Sequence, residues 1–78
     1  MGQRRASSAR DELLAWAKAG DFRERATEYL NRARLAPDDN VQRRFIDIAR
    51  HYRIIAEAEA SNADRLGDER RARERVEK

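Results

Sequence analysis

The sequence predicts an all-α fold, in which an antiparallel helical hairpin is accompanied by a short N-terminal helix. Charged side chains make up 42% of the 78 residues, and helix-forming residues dominate the chain. Apolar residues recur at helical spacing along three segments. The single proline, Pro37, is followed at once by Asp38, Asp39 and Asn40, a pattern typical of a turn between two helices.

Residues 8–20 are predicted to form the short first helix. Ser8 or Asp11 can cap its start, because either side chain accepts hydrogen bonds from free backbone N–H groups. Gly20 can end it, since glycine adopts the left-handed conformation without steric cost. The preceding residues 1–7 carry basic side chains and no acidic ones, and we expect them to be a flexible basic arm.

Residues 21–36 are predicted to form the second helix, with Asp21 and Glu24 as a capping-box variant at its start. Its apolar positions share one helical face: Phe22, Ala26, Tyr29, Leu30 and Ala33. The apolar residues before Gly20, Trp16 among them, point about 180° away from that face if the helix is continuous. We therefore expect a bend at Gly20–Asp21. The alternative is a straight helix whose Trp16 face serves another partner.

The third helix is predicted over residues 39–66. Pro37 cannot continue the preceding helix, and Asp39 is the favoured N-cap because Gln42 completes a capping box. The steps of four and three residues predict a heptad seam at Val41, Phe45, Ile48, Tyr52 and Ile55, which Ala49 and Ala56 widen on one side. The reversal at Pro37 is expected to place Phe22, Tyr29 and Leu30 against Phe45, Ile48 and Tyr52.

The seam fades after Ala56, and Gly67 is the expected end of the third helix. Leu66 remains as an isolated apolar position. Residues 67–78 are almost wholly charged and form i,i+4 pairs of opposite sign, so we expect a charged tail that is a frayed helix.

Four motifs between residues 21 and 60 resemble a group of short bacterial proteins that are common in alphaproteobacteria. They are an aromatic residue before R-E-R-A (residues 22–26), an acidic turn (38–39), R-R-F (43–45) and A-x-x-Y-x-x-I-A-E (49–57). The resemblance implies a helical hairpin and carries no established activity. It leaves out the segment around Trp16 and the charged tail.

Chemically active constellations are missing from the sequence. There is no cysteine, His51 is the only histidine, and the Asp38–Asp39 pair is explained by helix capping. No phosphate-binding loop or nucleophile motif occurs. We therefore expect no enzyme, cofactor, metal or small-molecule substrate. Without an apolar run of about 18 residues or a secretion signal, we expect no membrane association and a cytoplasmic location.

The predicted function is a non-catalytic protein-interaction module: a small adaptor, subunit or regulator. A thin core predicts a dimer or small helical bundle, with Leu13, Trp16 and Leu66 at the partner interface. The alternative is a nucleic-acid-binding protein. In that case Arg4, Arg5 and Arg10, together with arginines on the outer helical faces, would contact phosphates.

Overall fold

The computed structural model is an antiparallel hairpin of two long helices, and the predicted all-α hairpin is confirmed. Helix α1 spans Gly2–Arg34 and helix α2 spans Asp39–Val76. The structure describes the backbone of residues 2–76 and the side chains of residues 9–75. The hairpin forms a rod that measures 60 × 16 × 12 Å.

Helix α1 runs without interruption, so the predicted bend at Gly20–Asp21 is wrong. The helices expected at 8–20 and 21–36 are one element, and the expected arm at 1–7 contributes its residues from Gly2 onward to the same helix. Ala15 and Ala19 already face α2, so no bend is needed to cover that side of α1. The straight helix leaves the Trp16 face outside the hairpin.

We expect Gly20→Ala to stabilise the hairpin by about 0.5–1 kcal/mol, because alanine loses less backbone entropy than glycine inside a helix. Gly20 has no positive φ, and a Cβ atom there meets nothing within 4 Å. Thermal unfolding followed by circular dichroism measures the change.

The matched control for that substitution is Gly67→Ala, which should gain less stability. Its Cβ would lie 2.9 Å from Glu12 Oε1 and displace that carboxylate. If Gly20→Ala instead lowered the unfolding temperature, Gly20 would have to occupy a bent, left-handed conformation, and the continuous α1 would be refuted.

The turn between the helices is capped by Asp38, whereas the sequence favoured Asp39. The Val41 backbone N–H donates to Asp38 Oδ1 at 2.9 Å, and the Gln42 N–H donates to the Asp38 carbonyl at 3.0 Å. Asp39 is therefore already the first helical residue, where its carboxylate faces the positive end of the helix dipole.

Helix α2 continues past Gly67 to Val76, so the expected helix end at Gly67 is wrong; residues 67–76, predicted as a separate frayed helix, are helical but belong to α2. Gly67 is buried in the hairpin interface, where the missing side chain makes room for Glu12. Arg70 also pairs with Glu74 at 3.1 Å within the helix. Residues 77 and 78 of the predicted tail lie outside the described residues.

Alanine forms the core of the hairpin. Both helices place an alanine against the other helix at every seventh residue: Ala19, Ala26 and Ala33 in α1, and Ala49, Ala56 and Ala63 in α2. Their short side chains let the two backbones approach closely. Among residues 9–75 no large side chain is fully buried. The core therefore excludes water but buries little apolar area per residue.

The predicted seam of α2 is shifted from the observed interface. Ala49 and Ala56 lie at the centre of the contact, whereas Ile48 and Ile55 remain 36% and 41% exposed at its edge. Both rows repeat every seven residues and lie next to each other on the helix. The sequence pattern favoured the isoleucines because large side chains dominate any estimate of hydrophobic spacing.

Four aromatic rings from the two helices interleave along one side of the alanine core, and we call them the aromatic ladder. Phe22 and Tyr52 have centroids 6.0 Å apart, Tyr52 and Tyr29 5.6 Å, and Tyr29 and Phe45 6.0 Å. The guanidinium of Arg25 lies 5.9 Å from both Phe22 and Tyr52. The predicted packing of Phe22 and Tyr29 against Phe45 and Tyr52 is therefore confirmed.

An ion pair closes the interface at the open end of the hairpin. Arg70 Nε lies 3.3 Å from Glu12 Oε2. Glu12 is seven residues before Ala19, and Arg70 is seven residues after Ala63, so both continue the alanine rows. The hydrogen bond and charge of Glu12 raise the pKa of the Arg70 guanidinium above its ordinary value. This pair connects the two helices in the half of the hairpin that lies away from the turn.

Candidate protein-binding surfaces

The structure brings together two of the three residues predicted for a partner interface. Leu13 and Trp16 are neighbours on α1, three residues apart, and are 69% and 42% exposed. Leu66 is half-buried elsewhere, in a shallow groove that Leu14 and Ala15 also line. Leu14 is half exposed and was missed, since the expected bend would have buried it.

The residues predicted to contact phosphates are only partly covered by the structure. The side chains of Arg4 and Arg5 lie outside the described residues, although their backbone belongs to α1. Arg10 is exposed on α1.

A groove runs along the hairpin on the side away from the aromatic ladder, and we call it the alanine groove. Its floor is formed where the helices meet, by Ala26, Ala49 and Ala56. Near the turn its walls are apolar, with Leu30 on α1 and Ile46 on α2. The predicted packing of Leu30 in the aromatic seam is therefore wrong, because Leu30 lies on the opposite side of the core.

Further from the turn the walls of the alanine groove become basic and then apolar again. Arg23 lies seven residues before Leu30, Arg53 lies seven after Ile46, and both line the groove. One more step of seven residues places Trp16 and Ala60 on the same two helix faces. The seven-residue repeat thus places an apolar pair, a basic pair and a second apolar pair along this side of the hairpin.

The basic charge at this groove is only partly neutralised. Arg53 Nε lies 3.5 Å from Glu57 Oε1, a solvent-exposed pair. Within the described part of the chain, Arg23 and Arg50 have no carboxylate within ion-pair distance. Arg50 also lines the groove near the turn. The walls therefore carry an excess of positive charge over an apolar floor.

A second apolar surface lies on the other side of α2, and we call it the isoleucine row. It consists of Val41, Ile48 and Ile55, which are spaced seven residues apart beside the aromatic ladder. Ile46 and Ile48 are two residues apart, about 200° around the helix, so the row and the alanine groove face opposite sides. Ile54 is 57% exposed but lies outside the row.

The ionisable side chains do not assemble into a metal or acid–base site in the part of the chain that the structure describes. Across that part, no three His, Asp or Glu residues lie close enough to hold a metal ion. His51 is exposed, and Asp38 is engaged as a helix cap. Neither described helix is long and apolar enough to cross a membrane.

Comparisons with protein-family models, curated proteins and solved structures gave no match.

Proposed function

We propose that this chain is a non-catalytic protein-interaction module, a small adaptor, subunit or regulator that works by packing helices against other helices. The observation that supports the proposal is an inversion of the usual side-chain distribution. Among residues 9–75 the buried side chains are all alanines, whereas eight large hydrophobic residues are exposed, including Trp16, Ile48 and Ile55. Exposed apolar surfaces of this kind commonly mark interaction sites.

The energetics of the alanine core favour assembly. Burial of one methyl or methylene group contributes roughly 0.8 kcal/mol, whereas burial of a leucine or isoleucine side chain contributes about 1.5–3 kcal/mol. The chain is short, and most of its described large apolar side chains remain in contact with water. The free energy of unfolding of the isolated hairpin is therefore small. Covering one exposed face would add the burial that the hairpin lacks.

We infer that the first partner is a second copy, joined through the isoleucine row. Equal spacing makes the row self-complementary: an antiparallel contact centred on Ile48 places Val41 of each copy against Ile55 of the other. Because Ile48 lies near the turn, this contact overlaps the two 60 Å rods over about 30 Å only, so the interface is small and depends on these apolar pairs. The product is a four-helix assembly.

We expect the chain to sediment as a dimer at micromolar concentration and Ile48→Asp to raise its dissociation constant by about 30-fold or more, because a carboxylate would be desolvated at the centre of the contact. Sedimentation equilibrium measures both. Ile54→Asp is the matched control, since Ile54 is exposed on α2 outside the row, and it should remain dimeric. A parent chain that stays monomeric and helical would contradict the proposal.

Nucleic-acid binding is the second candidate function. It is favoured by arginines that have no carboxylate partner among the described residues: Arg43, Arg44 and Arg50 towards the turn, and Arg23 further along α1. Acidic side chains lie between these arginines in the sequence. Apart from Trp16, the described aromatic rings pack within the aromatic ladder. A nucleic-acid surface favours a continuous basic patch with free aromatic side chains. We therefore rank this function below protein interaction.

Two expectations from the sequence accompany the proposed function. Membership of the alphaproteobacterial group is proposed on the motifs of residues 21–60. We propose that the protein acts in the cytoplasm.

A further inference from the structure

We propose that the alanine groove binds one acidic amphipathic helix of a partner protein. This inference rests on the proposed function, because it names the chemistry of a partner for the same interaction module. It concerns the side of the hairpin opposite the isoleucine row, so a dimer formed through that row leaves the groove accessible.

The shape of the groove matches a helix. Two neighbouring helices with an alanine floor leave a straight channel between them, and a third helix fills such a channel with its apolar face. Leu30 and Ile46 form the walls near the turn, and Trp16 and Ala60 occupy the equivalent positions two heptads away. Trp16 is large and partly exposed, and its neighbour across the groove is small, so the indole can extend over a docked helix.

The charge of the groove selects the sign of its occupant. Arg23 and Arg53 stand between the two apolar pairs, and Arg50 adds a third guanidinium near the turn. Arg53 already pairs with Glu57, which also lines the groove, but a basic or neutral helix would leave Arg23 and Arg50 desolvated and without partners. An acidic residue opposite Arg23 would form charge-assisted hydrogen bonds with it. The same arginines disfavour a second copy in this groove, since a symmetric contact brings Arg23 and Arg53 close to their own equivalents.

The spacing of the walls defines the pattern of the partner. The apolar, basic and apolar pairs follow at steps of seven residues, about 10.5 Å each along a helix. The complementary helix carries an apolar residue, then an acidic residue seven positions on, then another apolar residue after seven more. Such a helix needs roughly 15–18 residues to span the three levels.

Trp16, the only tryptophan, allows binding to be measured in the full-length chain. The probe is a synthetic, tryptophan-free amphipathic peptide with leucines at the outer levels and glutamates at the middle level. A second peptide replaces the glutamates with lysines. We expect the acidic peptide to change Trp16 emission saturably and the lysine peptide to bind at least about tenfold more weakly.

Charge reversal in the protein tests the position of the site. Arg23→Glu should weaken binding of the acidic peptide by about tenfold or more, while the helicity of the protein stays unchanged. Arg44→Glu is the matched control: Arg44 is also an exposed arginine, two residues and about 200° away from the groove residue Ile46, and its reversal should leave binding unchanged. Equal loss in both variants, or equal affinity for both peptides, would overturn the proposal.

Two further outcomes would assign the groove to a different occupant and so reject the acidic helix. Duplex DNA or RNA that displaces the peptide, with an affinity that falls steeply with salt, would make the groove a phosphate-binding surface. Loss of the dimer in Arg23→Glu would make it the seat of a second copy. A chain that dimerises through Ile48 but binds neither peptide would refute this inference and leave the proposed function standing.

Discussion

Ala56→Leu should destabilise the hairpin by about 1–3 kcal/mol, lowering the unfolding temperature by roughly 5–20 °C. Ala56 is 0% exposed and lies in the middle of the alanine row of α2, beside Ala26 of α1. Three additional carbon atoms have no space there, so the helices must separate and the aromatic ladder beside them must lose its contacts. In a core with enough space, a buried leucine side chain would add stability. Here the side chain prevents the close approach of the two helices.

Thermal unfolding at one protein concentration measures this loss, and Ala58→Leu is the matched control. Ala58 lies on the same helix two residues away and is exposed. Since leucine and alanine have similar helix propensities, the control should stay within about 0.5 kcal/mol of the parent chain. If Ala56→Leu unfolded at the same temperature as Ala58→Leu, the helices would not be in close alanine contact, and the core described above would be refuted.

Tyr52→Ala should cost about 2–4 kcal/mol, somewhat less than truncation of a fully buried aromatic residue, because Tyr52 is half-buried. Its ring is the central rung of the aromatic ladder: it contacts Phe22 and Tyr29, and it lies 5.9 Å from the Arg25 guanidinium. Removing the ring breaks both ring contacts and leaves a gap along one side of the core.

Urea unfolding quantifies this loss, and Tyr52→Phe keeps the ring while removing the hydroxyl group. The contacts of Tyr52 in the aromatic ladder are made by its ring and do not involve its hydroxyl group. The free energy of unfolding of Tyr52→Phe should therefore lie within about 0.5 kcal/mol of that of the parent chain. A parent-like midpoint for Tyr52→Ala would mean that the ladder contributes no stability. A loss in Tyr52→Phe as large as in Tyr52→Ala would assign the effect to the hydroxyl group.

The errors of sequence reasoning share one physical cause. Ile48 and Ile55 carry much of the apolar surface of their segment, so periodicity arguments direct them towards a core. A hairpin in which alanines form the contact leaves these large residues at the edges or outside. The bend at Gly20 followed from the same assumption, since it was needed only to bring the Trp16 face inside.

The candidate surfaces were only partly accessible to sequence analysis for a related reason. Leu13 and Trp16 stand out as large apolar residues in a poor core, and the structure leaves them exposed as neighbours. The alanine groove was missed because Arg23 and Arg53 are 30 residues apart and no local pattern connects them. The seven-residue repeat of alanine in both helices could have indicated the groove. It marks the faces where the two helices come close, and the positions on either side of those faces line the grooves between the helices.

The sequence by itself determined the helical character of the chain and the place where it reverses. Pro37 interrupts the ladder of backbone hydrogen bonds, and the acidic residues after it start the next helix; both effects act within a few residues. Only the tertiary structure decided which helical faces meet. Alanine and isoleucine rows of equal period lie side by side on α2, and the choice between them depends on how closely two backbones can approach, a property of the pair of helices that neither helix has alone.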